Sequence, residues 1–101
     1  MILLNITILA DSDIHEALKS WIQKDFLTST KKEGLFESLS LLKVLNSPNE
    51  GVTYALQFKA VDENVINQFR ENQLISFQNT LQTDYPNKVY FFESLMEYLA
   101  E

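Results

Sequence analysis

The order in which strand-like and helix-like segments follow one another constrains the fold of this chain most strongly. Apolar residues alternate over 2–10, and a stripe at three- and four-residue spacing then runs to about position 32. Two further strand-like segments, 35–45 and 52–59, come directly one after the other, before a second helical stretch and a last strand over 88–96. The predicted order is therefore strand, helix, strand, strand, helix, strand.

Residues between these segments are of the kinds that begin and end helices and turns. Asp13 with Glu16 predicts a capping-box variant at the start of the first helix, and Asp62 predicts the cap of the second. Gly34 lies where a left-handed residue would end the first helix. The turn-forming stretch 46–51 predicts a hairpin loop between the second and third strands.

This order of elements within 101 residues is typical of the split β-α-β arrangement. We therefore predict one α+β domain over 1–101, a ferredoxin-like βαββαβ sandwich. Its four-stranded antiparallel sheet would carry both helices on one face. A chain this short buries only about 60–65% of the surface that its unfolded form exposes, so association with a second copy would stabilise it.

Two helices on one face would leave the other face of the sheet open. The second strand is apolar on both sides, with Leu42 and Val44 on one and Leu39 and Leu41 on the other, which indicates that both sides are covered. A symmetric dimer packed sheet against sheet would cover them, so we expect a homodimer. The expected open-face and dimer-interface residues are Asn5, Thr7, Leu39, Leu41, Thr53, Gln57 and Lys59.

Charge and composition exclude several classes of partner. The formal net charge is −6 and Arg70 is the sole arginine, which disfavours nucleic acid and anionic membrane surfaces. The absence of cysteine excludes disulfides and thiolate chemistry and fits a cytoplasmic setting. The apolar start of the chain lacks the basic residues of a signal peptide, and no apolar run approaches the ~20 residues of a membrane helix.

The sequence offers no catalytic constellation. His15 is the sole histidine, and we interpret it as a solvated surface side chain, because a metal site needs several convergent ligands. We assign Trp21, on the apolar stripe, to the core. The two glycines, Gly34 and Gly51, lie too far apart for a phosphate-binding loop. We therefore predict no catalytic residue, no metal site and no cofactor.

Several segments together resemble one family. They are the opening Ile-Leu-Leu-Asn-Ile-Thr, Trp21, Gly-Leu-Phe at 34–36, the strand 50–58 and the final Val-Tyr-Phe-Phe at 89–92. Over essentially the whole chain they resemble a small domain-of-unknown-function family, found mostly in Bacteroidetes. The resemblance implies a ferredoxin-like fold of the dimeric α/β-barrel type and no established activity. Many members carry His-Ile-Pro in the first helix, where this chain has Phe-Leu-Thr at 26–28.

Two functions are compatible with these patterns. The first is a non-catalytic, cytoplasmic homodimer that acts as an interaction or small-ligand-binding module, its cavity holding a small apolar ligand. The second is a cofactor-poor isomerase or monooxygenase with Asn5, Thr7, Gln57 and Tyr90 as its candidates. A closed apolar pocket with convergent polar groups would favour the enzyme. The pattern leaves open whether Tyr90 or Phe92 faces that side of the sheet.

Overall fold

The described residues, 1–48 and 50–101 of the computed structural model, form one four-stranded antiparallel sheet. Its strands are β1 (Ile2–Ala10), β2 (Ser38–Lys43), β3 (Val52–Ala60) and β4 (Val89–Glu97). They lie in the order β2-β3-β1-β4, and every neighbouring pair is antiparallel. The predicted four-stranded antiparallel sheet is therefore confirmed.

The helices of the described residues form three rods. The first, 15–33, is continuous and consists of α1 (His15–Trp21), a π-helical segment (Ile22–Phe26) and α2 (Leu27–Glu33). The other two rods are α3 (Glu63–Glu71) and α4 (Gln73–Asp84). The prediction of one helix after β3 is wrong, because Asn72 leaves the helical region at φ −121° and ψ −84° and so breaks the rod.

The core lies between the helices and one face of the sheet. The even-numbered side chains of β1 are buried while the odd-numbered ones are half-buried, which confirms the predicted alternation. The apolar stripe of the first rod contributes Leu18 and Ile22 to the same core, and α4 contributes Phe77 and Leu81. Among the described residues, no helix combines the length and apolar character needed to span a bilayer.

Stacked and tilted aromatic rings fill the centre of this core. Phe58 of β3 contacts the rings of Phe26, Phe36 and Phe69, with centroids 6.2, 5.2 and 4.7 Å away. Trp21 stacks on Phe26 at 6.0 Å, a pairing five residues apart that the wider π-helical turn allows. Aromatic pairs at these distances add to the stabilisation that comes from burial alone.

The start of the first helix differs from the prediction. Its N-cap is Ile14, with no side-chain cap, because the Ile14 N–H donates to the Asp11 carbonyl and closes a turn first. The Asp13 carboxylate instead accepts a hydrogen bond from Lys88, which lowers the pKa of Asp13. By contrast, the predicted cap of the second helical stretch is confirmed, since the Asp62 carboxylate accepts from the Val65 N–H at 3.2 Å.

The second strand is shorter than predicted. It covers Ser38–Lys43 rather than 35–45, and Leu45 beyond it is 75% exposed. The predicted hairpin loop 46–51 lies between β2 and β3, but Asn49 in that loop lies outside the described residues. The hairpin places β2 at one edge of the sheet, and β4 lies at the other edge.

Both glycines have positive φ angles but different surroundings. Gly34 ends α2 at φ +68°, as predicted, and a Cβ there would meet no atom within 4 Å. Gly51 has φ +80°, and a Cβ there would lie 2.3 Å from the Ala10 carbonyl oxygen. Only Gly51 therefore combines an unfavourable backbone conformation with a steric clash.

We expect Gly51→Ala to destabilise the fold more than Gly34→Ala. The left-handed conformation alone costs an alanine about 1 kcal/mol, whereas the backbone clash at position 51 should bring the loss above about 2 kcal/mol. Urea unfolding of the two variants measures this difference. Equal losses of unfolding free energy would contradict the close approach of Gly51 to β1.

Candidate functional site

The sheet face turned away from the helices is the candidate site, and we call it the open face. The strand registers place alternate side chains of all four strands on it. They are Leu3, Asn5, Thr7 and Leu9 of β1, Ser38, Ser40 and Leu42 of β2, Thr53, Ala55, Gln57 and Lys59 of β3, and Tyr90, Phe92, Ser94 and Met96 of β4.

Most of the predicted site residues lie on this face, but two do not. The structure places Asn5, Thr7, Thr53, Gln57 and Lys59 together on it. Leu39 and Leu41 instead pair with Phe58 and Leu56 and pack against the core. Their assignment to the open face is wrong, because β2 is apolar on both sides and only its register with β3 decides which side is buried.

Two amides form the centre of the open face. The Gln57 Nε2 donates to the Asn5 Oδ1 at 3.1 Å, and the Asn5 Nδ2 donates to the Thr7 Oγ1 at 3.1 Å. Ser40 lies opposite Gln57 and Ser94 lies opposite Asn5, so a polar row crosses all four strands. This row is uncharged and offers amide and hydroxyl groups to a bound molecule.

Exposed apolar side chains lie beside the polar row. Phe92 and Tyr90 of β4 are 61% and 58% exposed, and Leu42 and Met96 are also exposed. Phe92 lies opposite Thr7, so the register with β1 places both aromatic residues on the open face. Exposed apolar side chains around a few polar groups are typical of an interaction or ligand-binding site.

The segment 98–101 crosses one end of the open face and is held at Lys59. The Tyr98 N–H donates to the Met1 carbonyl at 3.0 Å, and the Tyr98 ring centroid lies 4.7 Å from the Lys59 ammonium. The Glu101 carboxylate accepts a hydrogen bond from Lys59, which raises the pKa of that ammonium. No sequence pattern indicates this contact, because only the fold brings segment 98–101 back to β3.

A groove of about 330 Å³ lies beside this segment. It is lined by Leu3, Met96, Glu97, Tyr98, Leu99 and Ala100. Leu3 and Met96 belong to the open face, so the groove continues that face towards the end of β4. Its volume lies near the lower end of the range that small-molecule sites occupy.

His15 lies on the opposite side of the sheet. It was expected to be a solvated surface side chain, but the structure shows it partly buried. Its Nδ1 is 2.9 Å from the hydroxyl of the buried Tyr54, and the His15 side chain is 18% exposed. Burial raises the pKa of Tyr54. Nearby, Lys19 and Glu16 form an ion pair at 3.0 Å on the helix surface.

In the part of the chain that the structure describes, no three acidic or histidine side chains are grouped so that they could hold a metal ion.

Two solved structures are similar to this chain over its length. The crystal structure of HapK from Hahella chejuensis matches with a TM-score of 0.75 and 14% identity, covering 100% of this chain and 95% of that one. An ethyl tert-butyl ether D (EthD) family protein from Bacillus halodurans C-125 matches with a TM-score of 0.61 and 12% identity, covering 98% and 100%. At these identities the likeness concerns the fold alone. No curated protein matches the sequence.

A family model covers nearly the whole chain. The model of a domain of unknown function, DUF4286, matches residues 1–99, which include all four strands and the Asn5–Gln57 amide pair. The expected membership of a domain-of-unknown-function family is thereby confirmed. This chain belongs to the DUF4286 family.

Proposed function

We propose that this protein is a homodimeric, non-catalytic module that uses its open face to hold a small ligand or partner. Two copies would pack open face to open face, with the polar row at the centre. The exposed Phe92 and Tyr90 beside the neutral amide pair carry this proposal. Removal of an apolar surface of this kind from water is favourable and would stabilise the dimer.

The distribution of charge supports a second copy as the occupant of this face. Each chain has a net charge of −6, so two copies repel each other where charged surfaces meet. Lys59 is the one charged residue among the open-face side chains, and Glu101 pairs with it. On β4, Glu93 points to the other side of the sheet, where it pairs with Arg70 at 3.2 Å. Packing through the open face therefore brings few like charges together.

The chemistry at the centre supports binding rather than catalysis. Asn5 and Gln57 are amides that neither gain nor lose a proton near neutral pH, and they hydrogen-bond to each other. Thr7 accepts from Asn5 and adds a hydroxyl to the same centre. Such groups orient a bound molecule but are weak proton donors and acceptors. We therefore favour the binding module over the enzyme.

We further propose the ferredoxin-like topology of the dimeric α/β-barrel type. The strand order β2-β3-β1-β4 with antiparallel neighbours and helices on one face supports it. A cytoplasmic setting suits a chain without cysteines.

Thiol accessibility tests whether the open face is covered in solution. The chain has no cysteine, so Ser94→Cys and Ser76→Cys each introduce a single thiol, on the open face and on α4 respectively. Both serines are exposed in the single chain. At micromolar concentration we expect maleimide to label the thiol of Ser94→Cys at least about tenfold more slowly than the thiol of Ser76→Cys. The reason is that the labelling rate at position 94 follows the fraction of chains whose open face is exposed.

Dilution provides the control for this experiment. The difference between the two positions should shrink as dilution dissociates the dimer, since the single chain exposes both. Equal labelling rates at high protein concentration would overturn the proposed packing.

A further inference from the structure

We propose that the groove beside segment 98–101 binds an amphiphilic carboxylate, with the apolar tail in the groove and the carboxylate on Lys59. In the free chain, Glu101 occupies the position of the ligand's carboxylate. This inference names a ligand class for the proposed binding function and uses the same face, but it does not require the dimer.

The apolar part of the site is formed by three side chains and a ring. Leu3 and Met96 lie opposite each other on β1 and β4, Tyr98 follows the strand, and Leu99 is 91% exposed beside them. Burial of exposed leucine surface against another apolar group is favourable by a free energy of about 25 cal/mol for each Å² removed from water. A short alkyl chain laid along the groove would cover these side chains.

The charged part of the site is Lys59, which lies opposite Leu3 on the neighbouring strand. Its side chain is 22% exposed, whereas its partner Glu101 is 56% exposed. The ammonium is therefore fixed between β3 and the Tyr98 ring, and the carboxylate is the outer member of the pair. Solvent-exposed ion pairs of this kind contribute no more than about 1 kcal/mol, so another carboxylate can replace Glu101.

The local charges favour a monoanion with an apolar tail. Lys59 provides one positive charge, and the Ser38 hydroxyl opposite it offers one neutral donor. Glu97 also lines the groove and repels a phosphate group, with its higher charge, more strongly than a carboxylate. One cation next to an apolar groove matches a carboxylate at the end of an alkyl chain.

Calorimetric titration with octanoate and octan-1-ol tests this assignment. The two probes share their alkyl chain, so Lys59 should distinguish them. We expect octanoate to bind the wild type more tightly than the alcohol, Lys59→Gln to remove this preference, and Glu101→Gln to tighten octanoate about two- to fivefold by removing its competitor. Neither substitution should change binding of octan-1-ol more than about twofold.

Each result decides for or against the groove. Three results would overturn the proposal. They are no binding of octanoate, equal octanoate affinity of Lys59→Gln and the wild type, and an octanoate affinity that Glu101→Gln leaves unchanged. The octanoate titration of the wild type and of Phe92→Glu, together with the mass of each protein in solution, separates the groove proposal from the dimer proposal. Lysine-dependent binding to a monomeric wild type would support the groove and reject the dimer, whereas a dimer without such binding would do the reverse.

Discussion

Replacement of Phe58 by alanine is expected to lower the free energy of unfolding by about 3–5 kcal/mol. Phe58 has no exposed surface and contacts the rings of Phe26, Phe36 and Phe69. Removal of its ring leaves a cavity that three other rings, fixed on different elements, cannot refill. Domains of this size have a total stability of only about 5–15 kcal/mol, so much of the fold's stability would be lost.

The matched control for this change is Ile75→Ala. Ile75 lies on α4 and is 50% exposed, so its truncation should change the unfolding free energy by less than about 0.5 kcal/mol. Thermal unfolding should show a drop of more than about 15 °C for Phe58→Ala and almost none for the control. A shift below about 5 °C for Phe58→Ala would mean that the aromatic cluster is not the centre of the core.

Phe92→Glu is expected to weaken the proposed dimer at least about a hundredfold. Phe92 is exposed in the single chain, so the change should leave the fold intact. In a two-fold interface it introduces two carboxylates at once, each buried without a cation, since Lys59 already pairs with Glu101. Sedimentation equilibrium over a concentration series measures the dissociation constant.

Ile75→Glu is the control for charge alone. It adds the same carboxylate at an exposed apolar position on α4, outside the open face. We expect its dissociation constant to remain within about threefold of the wild-type value. Equal weakening by the two variants would indicate that added negative charge, rather than coverage of the open face, separates the copies.

The sequence was sufficient to predict the elements whose local pattern agrees with their surroundings in the fold. β1 alternates strictly, Gly34 ends a helix with φ +68°, and Asp62 caps one, because each of these features depends on neighbouring residues alone. The break at Asn72 and the unpredicted turn before α1 depend on how the rods dock against the sheet, which a periodic pattern does not contain.

The candidate site shows the same division between local and tertiary information. Asn5 and Gln57 could be placed on the open face because their strands carry a clear apolar side. Leu39 and Leu41 could not, since β2 is apolar on both sides and pairing with β3 alone sets its orientation. Lys59 was expected on the face, but its contact with Glu101 joins residues 42 positions apart and has no sequence signal.

The mass of the unmodified chain in solution tests the central claim most directly. The claim is that the open face is an interface between two copies, and the chain mass is 11.7 kDa. Light scattering at micromolar concentration should give twice this mass for the wild type and for Ile75→Glu, and the single-chain mass for Phe92→Glu. A wild-type chain that stays at 11.7 kDa over the whole concentration range would contradict the claim.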